Sequence, residues 1–195
     1  IIVSIISLSK GSVYIPNEDI WLAIFKKGEV INQTIIWELR LPRLICSLLV
    51  GSALGMSGAL LQGMLKNGLA SPYLLGISAG SGLVIVFFIS FGLLQSFIPF
   101  AAWMGAILTT LIVFILSKNG NNIVVERLVL GGVAISSLFG AIQATLLLQV
   151  EDGRIQAALN WLIGSLNSRG WQEINFAALP ILIALFICLL YTSDA

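Results

Sequence analysis

Residues Leu39–Ala79 read LRLPRLICSLLVGSALGMSGALLQGMLKNGLASPYLLGISA. Arg40 and Arg43 bracket Leu41-Pro42 at the start. An apolar run of about twenty residues follows, enough to cross a bilayer as a helix at about 1.5 Å per residue. Within it Ser47, Gly51, Gly55, Ala59 and Gly63 recur at every fourth position. That spacing lays small residues along one stripe, where another helix backbone can come close. The run breaks at Asn67-Gly68 and Ser71-Pro72 before a second apolar segment begins. The stretch predicts a transmembrane helix packed deep inside a bundle through Gly51, Gly55, Ala59 and Gly63, with charge at its mouth.

The rest of the chain agrees with a membrane solvent. Hydrophobic residues make up 58% of the 195 residues and charged residues 10%, against about 25% charged in soluble domains. The net charge of +1 comes without any basic tract, which gives no support to nucleic acid as a partner. Cys46 and Cys188 each sit inside an apolar run and are expected as buried free thiols. The first nine residues are apolar without a charged leader, and no initiator Met precedes them. The expectation is a piece of a longer protein, with an abrupt close at Tyr191–Ala195 that does not look native.

Taken in order, residues 1–9 predict the end of a first helix. Lys10–Glu38 is polar and holds one short amphipathic piece, Asn17–Phe25, begun by Pro16 and the acids Glu18 and Asp19 and closed by Lys26-Lys27-Gly28. Further spans are expected at 42–65, with Pro42 in the first helical turn, and at 73–94, 99–117, 127–150 and 174–191. Pro180 is expected to kink the last of these. Lys118–Asn122 reads as a loop. Between Glu151 and Glu173 the apolar island Ala157–Leu166 is too short to span. The 127–150 helix repeats the small ladder at Gly132, Ser136, Gly140 and Ala144, and in both ladder helices a glutamine follows a glycine by the same interval, Gly51 to Gln62 and Gly132 to Gln143. The two helices run in opposite directions, and small-residue packing alone can produce the match.

The absences narrow the chemistry. The chain has no His, which removes His-based nucleophilic catalysis and the commonest transition-metal ligand. No Asp or Glu falls within an expected span, so the ion or proton site of many secondary transporters is missing. No G-x-x-x-x-G-K-[ST] occurs, so this chain does not itself cradle nucleotide phosphates. No catalytic residue, metal site or cofactor is expected. The largest polar groups at membrane depth are Gln62 and Gln143, accompanied by Ser57, Ser136, Ser137 and Thr145. Two readings stand for them: hydrogen bonds to neighbouring helices, at about 0.6 kcal/mol each, or the lining of a weakly polar passage. Arg40 and Arg43 likewise suit either lipid headgroups or the docking of an acidic partner.

Three motifs carry a resemblance: the R-L-P-R entrance, the helix L-V-G-S-A-L-G-M-S-G-A-L-L-Q-G and the segment N-G-L-A-S-P-Y-L-L-G-I-S-A-G. They resemble the membrane subunit of iron-complex and vitamin B12 importers, the FecCD-type permeases of binding-protein-dependent ABC transporters. The likeness continues through E-R-L-V-L-G-G-V-A-I-S-S (Glu126–Ser137) and W-L-I-G-S-L (Trp161–Leu166). It implies an all-α polytopic membrane protein, a permease bundle of about ten helices when complete and about six here, in a single transmembrane domain.

The implied partners are a second permease copy in a homodimer, two cytoplasmic ATPase subunits, an extracytoplasmic binding protein and membrane lipid. Arg40 and Arg43 would meet the binding protein. Gly132, Ser136 and Gln143 would line the translocation pathway, and the loop around Val125, Glu126 and Arg127 would lie at the inner gate. The implied cargo is an iron–siderophore complex, or cobalamin or haem, crossing the cytoplasmic membrane. Gly68 departs from the family's usual proline, which implies a looser turn. The resemblance also places Lys10, Lys26, Lys27, Arg40, Arg43, Arg154 and Arg169 outside and only Lys66, Lys118 and Arg127 inside, the reverse of the positive-inside rule. The rival readings are an ion-coupled secondary transporter and an intramembrane enzyme.

Overall fold

The computed structural model describes residues 2–68, 70–93, 95–120, 122–150, 152–166 and 170–193. Leu94, the expected end of the third span, and Glu151, the start of the polar stretch, lie outside the described residues. So do Arg169 of the outer charges and the final Asp194 and Ala195.

The helices follow the apolar runs, with two corrections. After α1 (Ile2–Ser9), α2 (Asn17–Ile24) starts behind Pro16 with Glu18 and Asp19 in its first turn, where the helix dipole favours carboxylates. Lys26 (φ 56°) and Gly28 (φ 83°) then reverse the chain. The first correction follows. Residues expected as a polar loop form α3 (Val30–Thr34) and a wider π turn (Ile35–Arg40) that runs directly into α4 (Leu41–Leu65). Pro42 therefore lies inside a continuous helix from Val30 to Leu65, not in its first turn. A proline inside a helix lacks one donor and crowds the carbonyl four residues earlier, and the wide turn just before Pro42 relieves that crowding.

The second correction concerns the span expected at 73–94. A short 3-10 turn (Pro72–Leu75) ends at Gly76 in the left-handed region (φ 73°), and only then does α5 (Ile77–Ser90) begin. α5 has 14 residues, about 21 Å of rise, short of the roughly 30 Å hydrocarbon core. α6 (Ile98–Ser117) leads into a minimal antiparallel hairpin, β1 (Lys118–Asn119) on β2 (Asn122–Ile123), where a loop was expected. α7 (Val125–Leu147), α8 (Asp152–Ile163, over the apolar island) and α9 (Trp171–Ser193, with Pro180 inside) complete the order. Among the described residues four helices are long and apolar enough to cross a membrane: Val30–Leu65, Ile98–Ser117, Val125–Leu147 and Trp171–Leu190.

The chain forms two compact units. The first comprises Ile1–Met56 and Leu166–Ala195. Its core gathers Leu8, Ile15, Ile20, Ala23 and Ile36, with Ile24, Ile35 and Leu44 against them. The indole N–H of Trp37 donates to the Ala23 carbonyl at 3.0 Å, and that of Trp171 donates to the Trp37 carbonyl at 2.9 Å. These bonds tie α2, the π turn and the start of α9 together.

The second unit, Ser57–Ser165, is built around α5, which packs against α6, α7 and α8. One core holds Leu65, Ala70, Leu75, Val113 and Leu128, the other Ile85, Val86, Ile89, Ile98 and Ala158. Lipid tails are as apolar as leucine, so helices in a bilayer associate through close packing and hydrogen bonds more than through apolar burial. The glycines of this unit provide the closeness. A Cβ on Gly80 would stand 2.8 Å from the Gly105 carbonyl oxygen, and one on Gly105 would stand 2.8 Å from the Gly80 carbonyl oxygen. Thr109, 2% exposed, lies over Gly80 and turns its hydroxyl back to the Gly105 carbonyl at 2.8 Å.

Candidate functional site

At the head of the long helix the two arginines separate. The Arg40 guanidinium is spent inside the first unit. It donates to the carbonyls of Leu8, Ser9 and Val13, pinning the end of α1 and the loop after it. A Cβ on Gly11 would come 2.9 Å from Arg40 Nη2, so the loop passes close over the guanidinium. Arg43 is exposed one turn further on. Arg40 thus ties the end of α1 to the long helix, and Arg43 presents its charge to the surroundings.

The three expected passage residues lie together on one face of α7, and that face is packed. Gly132 is buried, and a Cβ there would fall 2.0 Å from the Leu74 carbonyl oxygen. Ser136 donates to the Gly132 carbonyl at 2.7 Å and lies against Gly76. Gln143 reaches across to the Ala79 carbonyl at 2.8 Å and borders Gly82. The Ser136 bond stays within α7, and the Gln143 bond joins α7 to the start of α5. The other face of α7 is exposed and mixes small residues, Ala134, Ser137, Ala141, Ala144 and Thr145, with the leucines Leu130 and Leu138. Its hydroxyls are satisfied within the helix, Ser137 on the Val133 carbonyl at 3.0 Å and Thr145 on the Ala141 carbonyl at 2.9 Å. An exposed face with inward-satisfied hydroxyls is weakly polar and offers no fixed charge.

Val125, Glu126 and Arg127, expected in a loop, are instead the first turn of α7, exposed and fed by the β1–β2 hairpin. The carboxylate of Glu126 suits the positive end of the helix dipole there. Gln62 makes only a long approach to the Ala70 carbonyl, 3.5 Å. The ladder of α4, expected to pack against other helices, stands open among the described residues. Gly51, Gly55, Ala59 and Gly63 are exposed, and a Cβ on any of the three glycines would meet nothing within 4 Å among the described residues. Cys46 and Cys188, expected to be buried, are partly exposed. Sequence reasoning missed the Gly80–Gly105–Thr109 crossing and the Trp37–Trp171 tie. Both join residues remote in sequence, and nothing in the sequence linked Gly80 to Gly105 or Trp37 to Trp171.

Comparison with known proteins adds to this geometry. The sequence pattern of the FecCD transport family matches residues 1–195. The chain belongs to that family. Among FecCD relatives, the iron(3+)-hydroxamate import system permease protein FhuG of Bacillus subtilis is 34% identical, over 98% of this chain and 59% of its own length. The vitamin B12 import system permease protein BtuC of Vibrio cholerae is 32% identical, over 92% of this chain and 56% of its own. A solved structure described as an inward-facing conformation of a metal-chelate type ABC transporter superposes with a TM-score of 0.78 at 28% identity, covering 93% of this chain and 56% of that one. The chain thus spans little more than half the length of the relatives it matches. It is an all-α, multi-pass protein of the cell membrane and belongs to a transport family, not an enzyme family.

Proposed function

We propose that this chain is part of the permease subunit of a binding-protein-dependent ABC importer, carrying an iron–siderophore complex, or alternatively cobalamin or haem, across the cytoplasmic membrane. The observation that carries the reading is the family match along the whole chain, joined to helices of membrane length. The relatives' names divide between iron chelates and vitamin B12, both bulky cargoes that suit a wall of small neutral side chains. The free face of α7, with Ala134, Ser137, Ala141 and Thr145 between Leu130 and Leu138, is a neutral wall that stands beside the expected Gly132, Ser136 and Gln143 as passage lining. A second copy of the permease across that passage, two ATPase subunits on the cytoplasmic side and an extracytoplasmic binding protein complete the proposed assembly. The first turn of α7 at Val125–Arg127 lies at the inner gate, and Arg43 meets an acidic residue of the binding protein.

The test is uptake by the intact gene product, reconstituted in proteoliposomes with its ATPase and binding protein. Import of a ferric siderophore or cobalamin that requires ATP supports the reading. Import that follows an ion gradient without ATP overturns it. Charges at the rim of an interface act mainly on association rate and its salt dependence. Arg43→Glu should therefore slow binding-protein association at low salt, with the deficit shrinking as salt is raised. An unchanged association rate assigns Arg43 to the lipid headgroups. Arg40→Glu should instead lower the folded yield, because it strips three carbonyls of their donor.

A further inference from the structure

We propose that α2 and its flanking residues form an interfacial anchor, with the exposed Trp21–Phe25 edge lying in the headgroup layer of the bilayer. The placement of α2 carries the argument. Its inner side, Ile20 and Ala23, is buried in the same cluster as Leu8 at the end of α1 and Ile36 and Leu44 of the long helix. The Arg40 guanidinium binds the end of α1 to that helix as well. The long helix is of membrane length and α1 is apolar, and α2 packed at the end of both is thereby placed at the depth where lipid meets water.

The outer edge of α2 has the composition that this layer selects. Trp21 is 57% exposed and Phe25, one turn on, 70%, with Leu22 beside them at 45% and Tyr14 before the helix at 69%. Trp and Tyr concentrate at headgroup level, where a ring can stay apolar at one end and wet at the other, and apolar faces of this kind bind membrane surfaces from the side. Net charge contributes little. Lys10, Lys26 and Lys27 are balanced by Glu18, Asp19 and Glu29, and the Lys26 ammonium already stands 5.4 Å from the Trp37 ring centre. Attachment therefore rests on the aromatic and aliphatic edge. Glu18 shares that edge at the N-terminal end, which keeps that end in water and tilts the helix so that Phe25 sits deeper than Trp21.

The experiment uses the intact gene product in lipid nanodiscs, with Cys46 and Cys188 replaced and a nitroxide attached at Phe25→Cys or, separately, at Trp21→Cys. Both sites are exposed, so neither label displaces core. Relaxation by oxygen, which partitions into lipid, should exceed relaxation by a water-soluble nickel chelate at both positions, and more so at 25 than at 21. Calibration against spin-labelled phospholipids should place both labels at headgroup depth. Relaxation dominated by the nickel chelate puts the edge in water and overturns the proposal. Protection from both reagents means that protein covers the edge, whether the rest of the gene product, a second copy or a binding protein, and overturns it equally. A bromolipid quenching measurement on the native tryptophans, compared with Trp21→Phe, repeats the test without a label: loss of part of the quenching in Trp21→Phe is the expected result, and equal quenching counts against it.

Discussion

Two parts of this molecule are written in the same alphabet of glycines and end in opposite states. In α5, α6 and α7 the glycines are clenched: any Cβ on Gly80, Gly105 or Gly132 would lie under 3 Å from a backbone oxygen of a neighbouring segment. In α4 the glycines at positions 51, 55 and 63 stand open, with nothing within 4 Å of a built Cβ among the described residues. Spacing is therefore not what makes a glycine structural. The first set is defined by what lies opposite: a broken helix start at Gly76, a second glycine at 105 and the Leu74 carbonyl. The second set is a stripe with nothing opposite it among the described residues.

The largest expected effect tests the clenched set. Gly132→Ala adds one methyl, yet that methyl would sit 2.0 Å from the Leu74 carbonyl oxygen and 2.9 Å from the Leu75 Cα. Backbone cannot swing aside as a side-chain tip can, so α7 must lift from the α5 approach, at a cost of about 3 kcal/mol or more. Folded yield in detergent should collapse for this variant. A wild-type yield and melting point would show that the approach is loose and would dissolve the contrast with α4.

The open set should respond to size and not to the first methyl. In the intact gene product Gly55→Ala should be close to neutral, whereas Gly55→Leu should lower the folded yield if helices beyond this chain pack on the stripe, by about 1–3 kcal/mol. The yield of the pair, measured side by side in the same detergent, decides. A neutral Gly55→Leu would mean that α4 turns its glycines to lipid and that the stripe carries no packing function.

What the sequence showed and what it hid follow from the same distinction. α6 and α7 were legible because each is a long apolar run between polar stops, and their observed bounds, Ile98–Ser117 and Val125–Leu147, lie within a few residues of expectation. The helix from Val30 was hidden because Asn32, Gln33 and Glu38 read as loop. Its stabilising contacts are remote in sequence, Trp37 to Ala23 and Trp171 to Trp37. The break at Gly76 was hidden because a left-handed residue inside an apolar run leaves no change of composition. A periodic stripe announces which residues share a face but never what stands opposite. So the α4 ladder was read and its partner was not, while Gly80 and Gly105, one glycine on each of two helices, formed a crossing that no single period displays. The contact between Arg40 and the end of α1 was hidden for the same reason: proximity in sequence says nothing about which of two neighbouring guanidinium groups a remote carbonyl will meet.

The smallest effect separates the two faces of α7. Gln143 makes one hydrogen bond, to the Ala79 carbonyl at 2.8 Å, and such bonds between membrane helices are worth about 0.6 kcal/mol. Gln143→Leu keeps the volume and removes the donor, so it should shift an unfolding midpoint slightly and leave transport nearly intact. The comparison sharpens with cysteines placed on both faces after Cys46 and Cys188 are removed. Cysteine in place of Gln143 should stay protected from a water-soluble thiol reagent, because that side of α7 lies on α5. Cysteine in place of Ser137 or Ala141 should react during the transport cycle, because both positions are exposed among the described residues. The reverse pattern, reaction at 143 and protection at 137, would mean that α7 leaves α5 when the assembly forms. Gln143 would then be lining the passage with its amide, and the packed face would belong to only one state of the transporter.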